Sequence, residues 1–165
     1  MGKKAVYPGS FDPITNGHID ILERSTRMFD RVVLAILGNP AKDSVFPLAG
    51  RLRMARESVG DMAGVTVETF QGLLVDFLVQ QKADVIIRGI RAVSDFEYEF
   101  QMAMMNRRLN SRIETVYLMP SESYFYLSSH LVHEVASLNG DVTGLVPAGV
   151  QKILEGKYGP GKGRK

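Results

Sequence analysis

The sequence predicts an α/β fold, a doubly wound five-stranded parallel sheet in the order 3-2-1-4-5 with helices on both faces. Three observations carry that expectation. Five short β-rich segments alternate along the chain with stretches whose apolar residues recur at helical spacing. The 165 residues have the length of one domain, with no repeat or linker. Right-handed crossovers between parallel strands make the doubly wound order the simplest one.

The first strand is Ala5–Tyr7. After it, Ile19, Ile21, Leu22, Met28 and Phe29 mark a helix over His18–Phe29. Val32–Leu37 is the second strand and Leu48–Val59 the helix that follows. Val65–Thr69 and Leu73–Gln81 form the next strand and helix, and Val85–Ile87 the fourth strand. A helix over Ser94–Leu109 opens with Ser94 and Glu97 at the spacing of a capping box. Thr115–Met119 is the fifth strand and Ser129–Leu138 its helix, and Pro147 opens a sixth helix holding Val150, Ile153 and Leu154. The arrangement is Rossmann-like, with residues 1–155 as a single domain and 156–165 as a flexible basic tail. The tail segment Gly156 to Gly163 nearly spells a Walker A loop. It puts Gly163 where a magnesium-binding hydroxyl is needed and lacks the strand and helix that should flank it.

Along Ser94–Leu109 the residues Phe96, Tyr98, Phe100, Met102, Met104 and Met105 spread over most of the helix circumference. Such a helix is buried on several sides, and a small domain would leave one side in water, so a subunit contact is expected.

Composition removes several function classes. There is no cysteine, hence no disulfide framework and no thiolate metal site. The formal charge of +2 comes from 20 basic against 18 acidic residues, and Lys157, Lys162, Arg164 and Lys165 crowd the last nine positions. Without those four the body carries 16 against 18, which argues against a nucleic-acid binder with a broad basic face. No apolar run approaches bilayer length, and Met1-Gly2-Lys3-Lys4 leads into no signal-peptide pattern, so no membrane partner and a cytoplasmic location are expected.

The chemistry should gather where the strand order reverses, beyond the carboxyl ends of strands one and four. Two motifs meet there. Tyr7-Pro8-Gly9-Ser10-Phe11-Asp12-Pro13-Ile14-Thr15-Asn16-Gly17-His18 brings a hydroxyl, an imidazole and a helix N-terminus, where Gly17 lets a phosphate come close to the backbone. Arg88-Gly89-Ile90-Arg91 brings two fork-shaped permanent charges suited to phosphate. For the pair taken alone, structural ion pairs with Asp95 or Glu99 are the alternative use. Lys42 lies at the carboxyl end of the second strand. Ser128 and Ser129 precede a helix and can offer hydroxyls and N–H groups to phosphate. His130-Leu131-Val132-His133-Glu134 is not a zinc-protease arrangement and has no evident third ligand, so no protein-held metal is expected.

Thr15-Asn16-Gly17-His18 resembles the signature of the Thr/His-x-Gly-His nucleotidylyltransferases. The longer run from Pro8 to His18 is similar to the bacterial phosphopantetheine adenylyltransferases, a resemblance that extends from Ala5 to about Leu154. The resemblance implies transfer of the adenylyl group of ATP to 4′-phosphopantetheine, giving dephospho-coenzyme A and pyrophosphate. It implies a homohexamer. Mg2+ is expected mainly on the ATP phosphates, and coenzyme A, a product carrying adenosine and pantetheine, is a candidate competitor at the same site. The resemblance gives ATP the residues Ser10, Phe11, His18, Gly89, Ile90, Arg91 and Glu99, and the stretch Tyr124, Phe125, Tyr126, Leu127, Ser128, Ser129 and His130. It gives the acceptor Ser10, Lys42, Arg88 and Leu74, and makes His18 and Ser10 the groups that stabilise the transition state. Family members often carry Thr where Ser10 stands. In the second signature His130 replaces a hydroxyl and His133 a basic residue, which weakens the expected hold on the β- and γ-phosphates. A phosphate acceptor is already ionised, so direct in-line attack needs positioning and charge stabilisation, with no side-chain nucleophile. Nicotinate mononucleotide and glycerol phosphate are alternative acceptors, and a non-catalytic nucleotide sensor is a different use of the fold.

Overall fold

The computed structural model describes residues 2–38, 43–91 and 93–159, excepting the side chains at 93 and 94. Five strands, β1 (Lys4–Gly9), β2 (Arg31–Leu37), β3 (Val65–Phe70), β4 (Val85–Gly89) and β5 (Glu114–Leu118), form one sheet in the order β3-β2-β1-β4-β5. Every ladder is parallel. The helices are α1 (Asn16–Ser25), α2 (Leu48–Val59), α3 (Leu74–Gln81), α4 (Val93–Leu109), α5 (Ser129–Ser137) and α6 (Ala148–Tyr158). Fold class and strand order agree with the sequence reading.

Alternation along the central strands builds two cores. Ala5, Tyr7, Val32, Leu34 and Ile36 join a cluster with Ile21 and Leu22 of α1, Met54, Ala55 and Val59 of α2, Val132 of α5 and Leu154 of α6. Val6, Val33, Ala35 and Ile86 face the other way, toward Val75, Phe77 and Leu78 of α3. Each Val, Leu, Ile, Met or Phe side chain among these, when fully buried, contributes about 1.5–3 kcal/mol, so the central strands anchor the sheet from both sides.

The site owes its opening to unequal ladders. β1 pairs with β2 from Lys4↔Arg31 to Gly9↔Ile36, but with β4 only at Ala5↔Val85 and Val6↔Ile86. Beyond Val6 the β1 edge facing β4 has no backbone ladder, and proline is tolerated at position 8 because no N–H is required there. The Pro8 carbonyl is taken instead by the Arg88 guanidinium at 2.8 Å.

Several boundaries depart from the sequence reading. α1 stops at Ser25, short of Phe29, because the Ser25 carbonyl accepts from both Met28 and Phe29 N–H and turns Phe29 into the core. α6 runs past residue 155 to Tyr158, whose ring meets His133 at 6.0 Å; residues 160–165 of the expected tail lie outside the described residues. The Ser94–Glu97 capping box also falls outside them.

α4 is inverted relative to an ordinary surface helix. Its buried residues include the polar Glu99 and Asn106, while Tyr98 is 63 % and Met105 51 % exposed, with Phe96, Phe100, Met102 and Met104 also open.

Candidate active site

The strand-to-helix turn after β1 is built around His18. Thr15 is the N-cap of α1, and cap and imidazole satisfy each other: the His18 N–H reaches Thr15 Oγ1 at 3.4 Å, and the Thr15 N–H donates to His18 Nδ1 at 3.0 Å. This is a capping box with histidine in the place usually held by Glu or Gln. Because Nδ1 accepts, the neutral ring carries its proton on Nε2. Burial, then the Arg91 and Arg88 charges, push the His18 pKa down to about 4. At neutral pH the imidazole is therefore an uncharged hydrogen-bond donor. The Phe11 ring supports it edge-on at 5.1 Å and meets Tyr7 at 5.4 Å. Phe11 holds a positive φ of 45° to do so, a conformation that costs a non-glycine residue about 1–3 kcal/mol.

The remaining N–H groups of this turn correct the sequence reading in part. Asn16 N–H donates to the Leu145 carbonyl and Ile19 N–H to Thr15, so among the described residues only Gly17 N–H in the first turn of α1 lacks a partner. A methyl group added at Gly17 would be in ordinary van der Waals contact with Tyr124, Thr15 Oγ1 and Leu127 at 3.5, 3.6 and 3.7 Å. At Gly89 the requirement is packing: a Cβ would stand 2.5 Å from Ile21 Cδ1 of α1.

Both arginines have carboxylate partners. Arg88 Nε donates to Glu99 Oε2 at 2.7 Å, and a second, shorter contact joins its outer nitrogen to Glu99 Oε1. Burial works against the Arg88 charge, yet the hydrogen bonds and charge of Glu99 hold the guanidinium above its ordinary range. Arg91 pairs with Asp95 at 3.2 Å and donates to the Leu127 carbonyl at 3.1 Å. Structural pairing and a place at the switch point thus coexist.

These groups line a cavity of about 500 Å³ that gathers Ser10, Phe11, His18, Arg88, Gly89, Arg91, Glu99, Tyr124, Leu127, Ser128, Ser129 and His130. A second cavity of about 410 Å³, walled by Leu73, Leu74, Met102, Met105 and Leu109, shares Pro8, Gly9, Ser10, Arg88 and Glu99 with the first. Ser10 and Arg88 therefore stand on the wall between two compartments. Ile90, Phe125 and Tyr126 border neither, and Lys42 lies outside the described residues.

Ser128 caps α5, its hydroxyl accepting the Leu131 N–H at 3.0 Å, and Ser129 donates to the Pro13 carbonyl at 2.8 Å. The Ser129 and His130 N–H groups have no partner among the described residues, so this end of α5 offers backbone donors to an anion. His133, read from sequence as standing where a basic residue is usual, lines the same cavity with both ring nitrogens engaged. Its Nε2 donates to the Asp12 carbonyl at 3.0 Å and its Nδ1 accepts from the Tyr158 hydroxyl at 3.2 Å. Burial lowers its pKa, with Asp12 opposing and Lys157 and His130 reinforcing the shift. Through these contacts His133 braces the loop that carries Asp12.

Sequence reasoning missed Asp12, whose carboxylate accepts from Val45 and Phe46 N–H at 2.7 and 3.0 Å and ties the loop to the entry of α2. An aspartate just before proline was the available signal.

The turn sets expectations for three measurements. The ring nitrogens of His18, followed by NMR, keep the Nε2–H form down to pH 5 and titrate near about 4. Since the folded value lies below the unfolded 6.5, the stability linked to His18 is complete above pH 6.5 and is lost as pH falls toward the folded value. Melting temperatures of His18→Gln should decline less over that window than those of the wild type. Thr15→Ala should cost about 1 kcal/mol in urea unfolding through loss of the cap.

The family model described as cytidylyltransferase-like matches residues 6–135. A phosphopantetheine adenylyltransferase of Desulfosudis oleivorans is 54 % identical over 157 residues, covering 95 % of this chain and 94 % of that one. The enzyme of the same description from Geotalea daltonii is 55 % identical over 156 residues, covering 94 % and 97 %. Among solved structures, a Vibrio parahaemolyticus protein assigned as a nicotinate-nucleotide adenylyltransferase superposes with a TM-score of 0.71 at 18 % identity over 97 % of each chain, a likeness of fold alone.

Proposed function

The chain belongs to the cytidylyltransferase-like family and, within it, to the phosphopantetheine adenylyltransferases, and on that premise we propose the reaction and the roles of its residues. It transfers the adenylyl group of ATP to 4′-phosphopantetheine, a step of coenzyme A synthesis. The observation that supports this reading most is the wall shared by the two cavities, where Ser10 and Arg88 stand between a compartment rich in polar and charged side chains and a more apolar one. ATP occupies the first, its outer phosphates toward the N-terminal end of α5. The pantetheine arm lies along Leu73, Leu74 and Met102 in the second, with its phosphate at the wall.

An acceptor phosphate oxygen bonds to the α-phosphorus as the bond from that phosphorus to the bridging oxygen breaks. Pyrophosphate leaves with the electron pair, and no covalent enzyme intermediate forms. Ser10 and the His18 Nε2–H donate to the α-phosphoryl oxygens as their charge grows, and the low pKa of His18 keeps it a donor without making it an acid. Arg88 and Lys42 hold the attacking phosphate, and Arg91 the nucleotide. Asp12, Asp95 and Glu99 at the cavity are each engaged by N–H groups or arginines, so Mg2+ would be brought in by ATP rather than held by these carboxylates, and would supply charge neutralisation to the departing pyrophosphate.

Coenzyme A, which carries both halves of the product, would compete for both cavities. A second copy of the chain covers the exposed apolar face of α4, in a hexamer; sedimentation of a monomer at micromolar concentration would contradict this. Among the described residues no helix is long and apolar enough to cross a membrane, and we place the reaction in the cytoplasm.

The test is incubation with MgATP and, separately, 4′-phosphopantetheine, nicotinate mononucleotide and glycerol phosphate. Dephospho-coenzyme A by mass, with pyrophosphate release from the first alone, is expected. ATP binding without turnover on any acceptor would favour a sensor instead. Chiral phosphorothioate ATP should react with inversion at the α-phosphorus, and retention would indicate a covalent intermediate.

A further inference from the structure

Arg51 is the most unusual charge in the molecule. It is 3 % exposed, sits in the first turns of α2 at the positive end of that helix, and belongs to none of the ion pairs among the described residues. A buried guanidinium without a counter-charge is costly, and a helix N-terminus adds to the cost. Its partners are three backbone carbonyls: Nε donates to Phe46 at 3.1 Å, and one outer nitrogen to Ser10 at 2.8 Å and Leu37 at 3.0 Å. Ser10 is on the wall between the cavities. Leu37 ends β2 and Phe46 precedes α2, so the two bracket in sequence the segment that carries Lys42.

We propose that Arg51 is a positioning residue for the acceptor phosphate, fixing the Ser10 carbonyl from beneath the shared wall and carrying a positive charge that the bound phosphate balances. The proposal rests on the adenylyltransferase reading above. Neutral donors would satisfy three carbonyls at less cost in desolvation. An anion bound one residue's thickness away, on the far side of Ser10, makes use of the charge itself.

The experiment titrates 4′-phosphopantetheine and pantetheine, which lacks the phosphate, into wild type, Arg51→Met and Arg51→Lys by calorimetry, below the melting temperature of each. Wild type should bind the phosphorylated ligand more tightly. In Arg51→Met that preference should shrink by about 10- to 100-fold, as loss of a charged interaction requires, while pantetheine affinity changes little. Arg51→Lys keeps the charge without the fork and should retain an intermediate preference. Equal weakening of both ligands, or failure of both variants to fold, would make Arg51 a scaffold residue and overturn the proposal. A wild type that binds neither ligand would instead overturn the acceptor reading, and the proposal with it.

Discussion

Replacing His18 with alanine lowers kcat by about 100- to 1000-fold and leaves the affinity for ATP nearly intact, because a transition-state donor is lost while the phosphate contacts of the ground state remain. The structure gives this expectation its content. The imidazole is held by Thr15 on one side and Phe11 on the other, with its only proton on the nitrogen not used by the cap. The substitution also leaves the Thr15 N–H without the imidazole that satisfied it, so a stability loss of about 1 kcal/mol accompanies the kinetic one and is measured separately by urea unfolding. His18→Gln retains an N–H donor and should recover part of the turnover. Wild-type kcat in His18→Ala would remove the imidazole from the chemistry.

Arg88→Ala is expected to raise the KM for 4′-phosphopantetheine by about 10- to 100-fold, the worth of a charge-assisted hydrogen bond, with a smaller effect on ATP. The ion pair complicates the measurement in a way that can be controlled. Glu99 is largely buried, and without Arg88 its carboxylate loses its partner and faces the same phosphate. Part of the loss in the single variant is thus repulsion and part destabilisation. Arg88→Ala combined with Glu99→Gln removes the orphaned charge. Stability should return in the double variant, while acceptor KM stays raised by at least about tenfold. Full recovery of acceptor binding there would mean that Arg88 serves only to neutralise Glu99.

The sheet was legible because its central strands are apolar on both faces and all five strands alternate with helices, and the strand order follows from crossover handedness. The convergence of the Ser10–His18 and Arg88–Arg91 segments was legible for the same reason, since topology places both at the switch point. What sequence left hidden depends on which way a side chain turns. His133 stands where a basic residue is usual, and its ring turns toward Asp12 and Tyr158, a contact 121 residues distant on one side and 25 on the other. The ion pair of Glu99 with Arg88 was one of the two uses the sequence offered, and Glu99 also lines the cavity. Arg51 was invisible because an arginine in an amphipathic helix normally lies on the solvated face, and nothing in its neighbours along the chain signals three remote carbonyls. The α1 terminus shifted because the Ser25 carbonyl, accepting two later N–H groups, closes the helix with polar chemistry that hydrophobic spacing does not record.

One cavity borders both the imidazole turn and the arginine loop, and a crystal structure with a non-hydrolysable, α,β-methylene ATP analogue and Mg2+ tests its use most directly. The α-phosphoryl group is expected within hydrogen-bond distance of both His18 Nε2 and the Ser10 hydroxyl, with Arg91 on the same nucleotide. An analogue seated with its α-phosphorus away from His18, or in a compartment that Ser10 and Arg88 do not border, would contradict the account.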